Sequence, residues 1–280
     1  MRNTSCFIKT VTYLIITILP ARIFAQKLPN VQRGSLRAPA NIKIDGKASE
    51  WGGQFQAYNH ATSIYYTLCN DDNNLYLAVQ ASDPDVLTKI TNCGVLLVID
   101  PSGKKTDKNA VSITFPVFDL KYGNKPYIHF SNASGLTHVQ RLAMEANPDS
   151  MLRVANKKLH NNEKYIRTSG MADIDTLLSI YNENGIVARE AFGKGMIYTY
   201  ELALPLKYLN LSANNPIKFA YHIVLPGLNV DKDFGIQSTT LPDGTIHVSV
   251  ATGAATVKND HMPAVISTTD FWGEYTLAKK

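Results

Sequence analysis

Residues able to do chemistry are plentiful in this chain, but few are spaced for it. The seven histidines, at 60, 129, 138, 160, 222, 247 and 261, are scattered, and none is paired at metal-ligand spacing. His222 and His247 fall inside strand patterns, where a satisfied or outward-facing ring is a simpler reading than a ligand. There is no His-Glu-x-x-His, no Gly-x-Ser-x-Gly, no phosphate loop and no Cys-x-x-Cys, so the signatures of zinc, serine, nucleotide and dithiol chemistry are missing. Glycoside hydrolysis needs two carboxyl groups about 5–9.5 Å apart across a cleft, and nothing in the sequence brings Glu190, Glu201 or another acid into such a pair. No catalytic residue is assigned. The most suggestive cluster is Tyr122-Gly123-Asn124-Lys125-Pro126-Tyr127-Ile128-His129, a loop pattern offering two rings and several polar groups. Ordinary loop and edge-strand aromatics are the plainer reading of the same residues.

The elements that must position these residues read mainly as strands. Leu75, Leu77, Val79 and Ala81 alternate with Tyr76, Ala78, Gln80 and Ser82, after the turn-rich run 70–74. Val95 to Ile99 is continuously apolar, as expected of a central strand covered on both faces, and stops at the Asp100-Pro101-Ser102-Gly103 turn. Ile113, Phe115 and Val117 alternate, as do residues 217–225, and 198–204 and 246–250 supply two more strands. Short strands separated by turn signals predict a sandwich. Helical spacing is sparse: it is best over about 136–160, where Pro148 interrupts it, and Pro205 to Leu209 reads as one short turn.

The first 25 residues form a separate unit. Arg2 and Lys9 precede the apolar stretch Val11–Leu19, and Ile23-Phe24-Ala25 precedes Gln26. This reads as a Sec signal peptide cleaved after Ala25, with a retained anchor as the alternative because Arg22 lies so near the cleavage point. Cys6 precedes the apolar region, so lipidation is not expected. Arg2, Lys9 and Arg22 leave with the peptide and no acid does, which takes the net charge from +5 to +2. The residual charge and the absence of Lys/Arg runs give no reason to expect a nucleic-acid partner. The apolar stretch Val11–Leu19 falls well short of the ~20 residues of a membrane span, so no transmembrane helix is expected after cleavage. Cys69 and Cys93 would suit a disulfide in an oxidising compartment. With three neighbouring strands, however, they would sit near 20 Å apart, which predicts two buried thiols instead.

Several segments, in order, resemble family 9 carbohydrate-binding modules and their DOMON-like relatives. They are Ile44-Asp45-Gly46-Lys47-Ala48-Ser49-Glu50-Trp51; Asn74 to Val79 leading to Asp83-Pro84; Gly94 to Asp100; Tyr200 to Leu209, with Glu201 and Pro205; and Phe271-Trp272-Gly273 to Leu277. The resemblance implies an all-β, two-sheet antiparallel sandwich over 26–280 as one domain, with 119–195 as a partly helical candidate insertion. It implies scaffold roles for Asp45, Gly46, Trp51, Asp83, Asp100, Glu201 and Trp272. Asp83 and Asp100, at strand ends, either stabilise turns or help hold a calcium ion. The Met or His axial ligation of haem found among DOMON-like sandwiches has no motif here to select a pair.

The family's ligand is a sugar, gripped between two exposed Trp rings. Ile90 stands near one of those positions and no aromatic stands near Ile266, while Trp51 and Trp272, the only tryptophans, match scaffold positions. The resemblance therefore implies an exported, non-catalytic polysaccharide- or oligosaccharide-binding protein of a bacterial periplasm or exterior, with Tyr122, Tyr127 and His129 as the candidate contacts. A structural or partner-binding envelope protein that reuses the fold is the alternative. A hydrolase or haem protein ranks below both.

Overall fold

The computed structural model describes residues 27–106, 108–118, 147–228, 236–244, 246–250, 253–254 and 262–280. In chain order the elements are β1 (Ala57–Asn59), β2 (Ile64–Asn70), β3 (Asn74–Ala81), α1 (Pro84–Cys93), β4 (Val95–Asp100), β5 (Val111–Val117), α2 (Pro148–Asn162), β6 (Tyr165–Ser169), β7 (Leu177–Ser179), β8 (Val187–Phe192), β9 (Tyr198–Pro205), β10 (Lys218–Leu225), β11 (Ile236–Thr240), β12 (Ile246–Val250), β13 (Gly253–Ala254), α3 (Met262–Ile266) and β14 (Thr269–Thr276). One antiparallel sheet runs β1-β2-β3-β9-β8 and a second runs β14-β10-β4-β5-β6-β7, with β11-β12-β13 as a small third sheet.

The two large sheets pack face to face, which is the sandwich expected from the alternating patterns. Leu75, Leu77 and Val79 of β3 share one core with Leu97 and Ile99 of β4 and with Phe219, Tyr221 and Ile223 of β10. Across the interface Phe115 stacks on Tyr200, centroids 5.6 Å apart, and the Tyr66 and Tyr221 hydroxyls meet at 2.8 Å. Gly273 is required where Tyr221 crosses β14, because a Cβ there would lie 2.1 Å from the Tyr221 ring.

The outer face of the first sheet carries a second, smaller core. Tyr76 and Ala78 on β3, Cys69 on β2 and Ala203 on β9 are covered by Ala48, Trp51 and Phe55 of the preceding segment. Trp51 thus covers the outer face of this sheet. Tyr76 and Ala78 of β3 and Ala203 of β9 are consequently buried on the outward face as well.

Residues 84–93 differ from the expected approach to a strand. Asp83 accepts hydrogen bonds from the backbone N–H groups of Asp85 and Val86, Pro84 opens the first turn, and Val86, Leu87 and Ile90 bury the inner face of helix α1. The helix carries the chain from one sheet to the other. The strand that holds Cys69, β2, and the strand that starts after Cys93, β4, are therefore not in one sheet, contrary to the premise of the distance argument. Both cysteines are outside any disulfide, Cys69 buried and Cys93 half-buried. In α2, Pro148 opens the helix behind an Asn147 cap rather than interrupting it. Residues 165–192 are integral to the sandwich, supplying β6 and β7 to one sheet and β8 to the other.

Candidate ligand-binding surface

Three of the scaffold motif residues, Asp45, Gly46 and Trp51, converge on the carboxylate of a fourth, Glu201. Glu201 on β9 accepts hydrogen bonds from the backbone N–H groups of Asp45 (3.0 Å) and Gly46 (2.8 Å) on one oxygen, and from the Trp51 indole N–H (2.8 Å) on the other. Burial raises the Glu201 pKa, and these three donors oppose the rise without cancelling it. Gly46 has φ of 79°, and a Cβ there would sit 2.7 Å from the Glu190 carbonyl carbon, so only glycine fits. Every polar atom of this carboxylate is committed to holding the segment that covers the sheet. Glu201 is therefore placed to support structure and not to act on a ligand.

Asp83 and Asp100 are likewise engaged by their own turns. Asp83 caps α1, and Asp100 accepts from the Ser102 N–H and hydroxyl and from the Thr106 N–H at 2.6–3.2 Å. Hydrogen bonds from Ser102 and the turn amides outweigh burial and leave the Asp100 pKa below the ordinary carboxylate value. Among the described residues, no group of three or more His, Cys, Asp or Glu side chains comes together to hold a metal ion.

Among the described residues, an aromatic pair, its rings tilted at 47° to each other, forms a shelf on the outer face of the first sheet at its β1 edge. Ala57, Ile64 and Tyr66 point into the sandwich, so period 2 turns Tyr58 and Tyr65 outward. These two are direct partners across the β1–β2 pair, with ring centroids 4.6 Å apart. Tyr65 is 41% exposed and Tyr58 half-buried. Phe55 buttresses Tyr65 at 6.1 Å, and His60 meets Tyr58 edge-on at 5.0 Å. Polar groups ring the shelf: Asn30 Oδ1 accepts from the His60 backbone N–H at 2.8 Å and faces its Nδ1 at 3.1 Å. Gln80, opposite Tyr65 on β3, is half-buried and donates to the Thr199 hydroxyl at 3.3 Å. Flat rings flanked by amides and an imidazole can stack on the apolar face of a ligand and bind its hydroxyls.

Sequence reasoning did not single out these residues. The available signal was Tyr65 standing between two core positions, and Tyr58 between Ala57 and Asn59, both buried. Tyr122, Tyr127 and His129 lie outside the described residues. Trp272, on the outer face of the other sheet, stacks on His222 at 4.2 Å, and His222 Nε2 lies 2.7 Å from Asp270 Oδ2.

One cluster is chemically unusual but shut away. Glu190 on β8, Tyr198 and Tyr200 on β9, and Glu163 after α2 are all buried. The Tyr198 hydroxyl donates to Glu190 Oε2, while Glu190 Oε1, Glu163 Oε2 and the Tyr200 hydroxyl have no partner among the described residues. Burial lifts the Glu190 pKa to about 8, with the Glu163 charge adding to the rise, and burial lifts Glu163 to about 7. Both carboxyls are buried, and Glu163 Oε1 lies 3.7 Å from the exposed His160 ring.

No family model and no curated protein matches the sequence.

Proposed function

We propose that this chain is an exported, non-catalytic glycan-binding β-sandwich that holds its ligand on the Tyr58–Tyr65 shelf. The observation that carries this reading is the pair of outward tyrosine rings, 4.6 Å apart and flanked by Asn30, His60 and Gln80. Sugars offer alternating apolar faces and hydroxyls, and such a shelf addresses both. The signal-peptide pattern of residues 1–25 and the resemblance to family 9 carbohydrate-binding modules support the same reading. Among the described residues no helix is long and apolar enough to cross a membrane. Retention of the purified protein on a panel of soluble and insoluble polysaccharides tests it. Wild type is retained on at least one and Tyr65→Ala is not. Equal retention of the two rules out the shelf.

A second reading, docking of a protein partner, is favoured by one observation. Strand β7 ends its sheet, and Leu177 and nearby Tyr181 are 47% and 68% exposed. A partner that co-purifies with wild type and is lost with Leu177→Lys supports this reading, whereas a partner retained by that variant removes it.

A further inference from the structure

The shelf is joined by a short strap to a cationic pocket. Residues 29–38 run along the open side of the sandwich. The Pro29 carbonyl accepts from Tyr58 N–H (3.0 Å) and the Asn30 carbonyl from the Asn59 side chain (3.1 Å). Gln32 then binds Leu68 through both ends of its amide, at 2.8 Å each. Farther along, the Ser35 hydroxyl donates to the Thr276 carbonyl (2.6 Å), and the Leu36 N–H donates to the Tyr275 hydroxyl (3.0 Å). The strap thus passes from the shelf edge, β1 and β2, to β14 of the opposite sheet.

Where it meets β14, an open pocket of about 180 Å³ is lined by Arg33, Ser35, Lys218, Glu274 and Tyr275, among others. Glu274 sits between two lysines, with Lys218 Nζ at 2.9 Å and Lys105 Nζ at 3.2 Å. Their hydrogen bonds hold its pKa below the ordinary value. Arg33 makes no hydrogen bond or ion pair among the described residues, and it is exposed. Two lysines thus share one carboxylate, and the guanidinium that lines the same pocket is unpaired among the described residues; its planar fork suits a carboxylate or sulfate. Asn30, which grips His60 on the shelf, is three residues from Arg33, so their Cα atoms lie within about 11 Å of each other.

We infer that the ligand is an anionic glycan, carrying carboxylate or sulfate groups, which stacks on Tyr58 and Tyr65 and sets a charged group in the Arg33–Lys218 pocket. This rests on the proposed glycan-binding reading. Solvent-exposed lysines alone would be ordinary surface charge. The pocket, the unpaired guanidinium and the strap that hydrogen-bonds β1 at Tyr58 and Asn59 together offer a second contact for one oligosaccharide.

The test compares matched neutral, uronate-bearing and sulfated oligosaccharides against wild type, Arg33→Ala, Lys218→Ala and Tyr65→Ala. An acidic ligand binds wild type about tenfold or more tightly than its neutral match, the worth of one charge-assisted hydrogen bond. That preference shrinks as salt rises and is lost in Arg33→Ala, which binds the acidic ligand and its neutral match about equally. The uronate and sulfate arms show which anion is preferred. Tyr65→Ala weakens all of them. If neutral and acidic ligands bind alike, or Arg33→Ala changes nothing while Tyr65→Ala still abolishes binding, the anionic assignment is wrong and the shelf stands. Binding of none by folded protein overturns both.

Discussion

Glu190 gives a stability prediction with a definite sign. Its carboxyl is raised on folding from an ordinary 4.5 to about 8, first by burial and then by Glu163. The folded state therefore keeps a proton that the unfolded chain releases above about pH 4.5. Stability from this group is fully present below that pH and falls as pH rises to about 8. At 1.36 kcal/mol for each pH unit between the two pKa values, the loss has a ceiling of about 5 kcal/mol. That is a large share of a domain's typical 5–15 kcal/mol. Local opening or water entry lowers it from the ceiling. Glu163, raised to about 7 by burial, acts in the same direction. Urea unfolding at pH 5 and pH 8.5, for wild type and Glu190→Gln, measures the effect. The wild-type midpoint falls between the two pH values by an amount worth several kcal/mol. Glu190→Gln keeps an acceptor for the Tyr198 hydroxyl and cannot ionise, so its midpoint falls much less, and it is the more stable protein at pH 8.5. A wild-type midpoint that is flat or rising over this range, or a variant that falls in parallel with it, refutes the reasoning.

The scaffold makes three further predictions. Glu201→Ala strands the Trp51 indole N–H and the Asp45 and Gly46 amides, and a denaturation curve should show a loss of about 3 kcal/mol or more. Gly46→Ala forces a Cβ toward the Glu190 backbone at a positive φ, lowering stability by about 1–3 kcal/mol and the melting temperature with it. Asp83→Ala removes the α1 cap at a cost of about 1 kcal/mol, and the same loss appears with calcium and with chelator, because the carboxylate acts on backbone N–H groups.

Much of the sandwich was legible because burial writes itself into the apolar pattern, as alternation in most strands and as a continuous run at 95–99. The runs at 75–81, 95–99, 113–117 and 217–225 each became β3, β4, β5 and β10. Helix α1 was harder to read. Its apolar residues 86, 87 and 90 follow helical spacing, yet the stretch lies between two strong strands and its cap, Asp83-Pro84, also reads as a strand end. Pro148 was misread for a related reason: proline breaks a helix interior but starts one when an Asn cap precedes it. The aromatic shelf was illegible for another reason. Tyr58 and Tyr65 are seven residues apart and become neighbours only through the β1–β2 register. Their rings resemble core tyrosines until the inner face is identified. Glu201 was legible as scaffold by resemblance, but its three donors come from 150 or more residues away and depend on the fold.

The measurement that tests the central claim most directly is affinity electrophoresis through the polysaccharide that retains the protein best. It compares wild type, Tyr58→Ala/Tyr65→Ala, and Tyr181→Ala as a control at an exposed tyrosine elsewhere. The account predicts that wild type and Tyr181→Ala are slowed alike while the double variant, folded with a single cooperative unfolding transition, runs freely. A folded double variant slowed as much as wild type would contradict it.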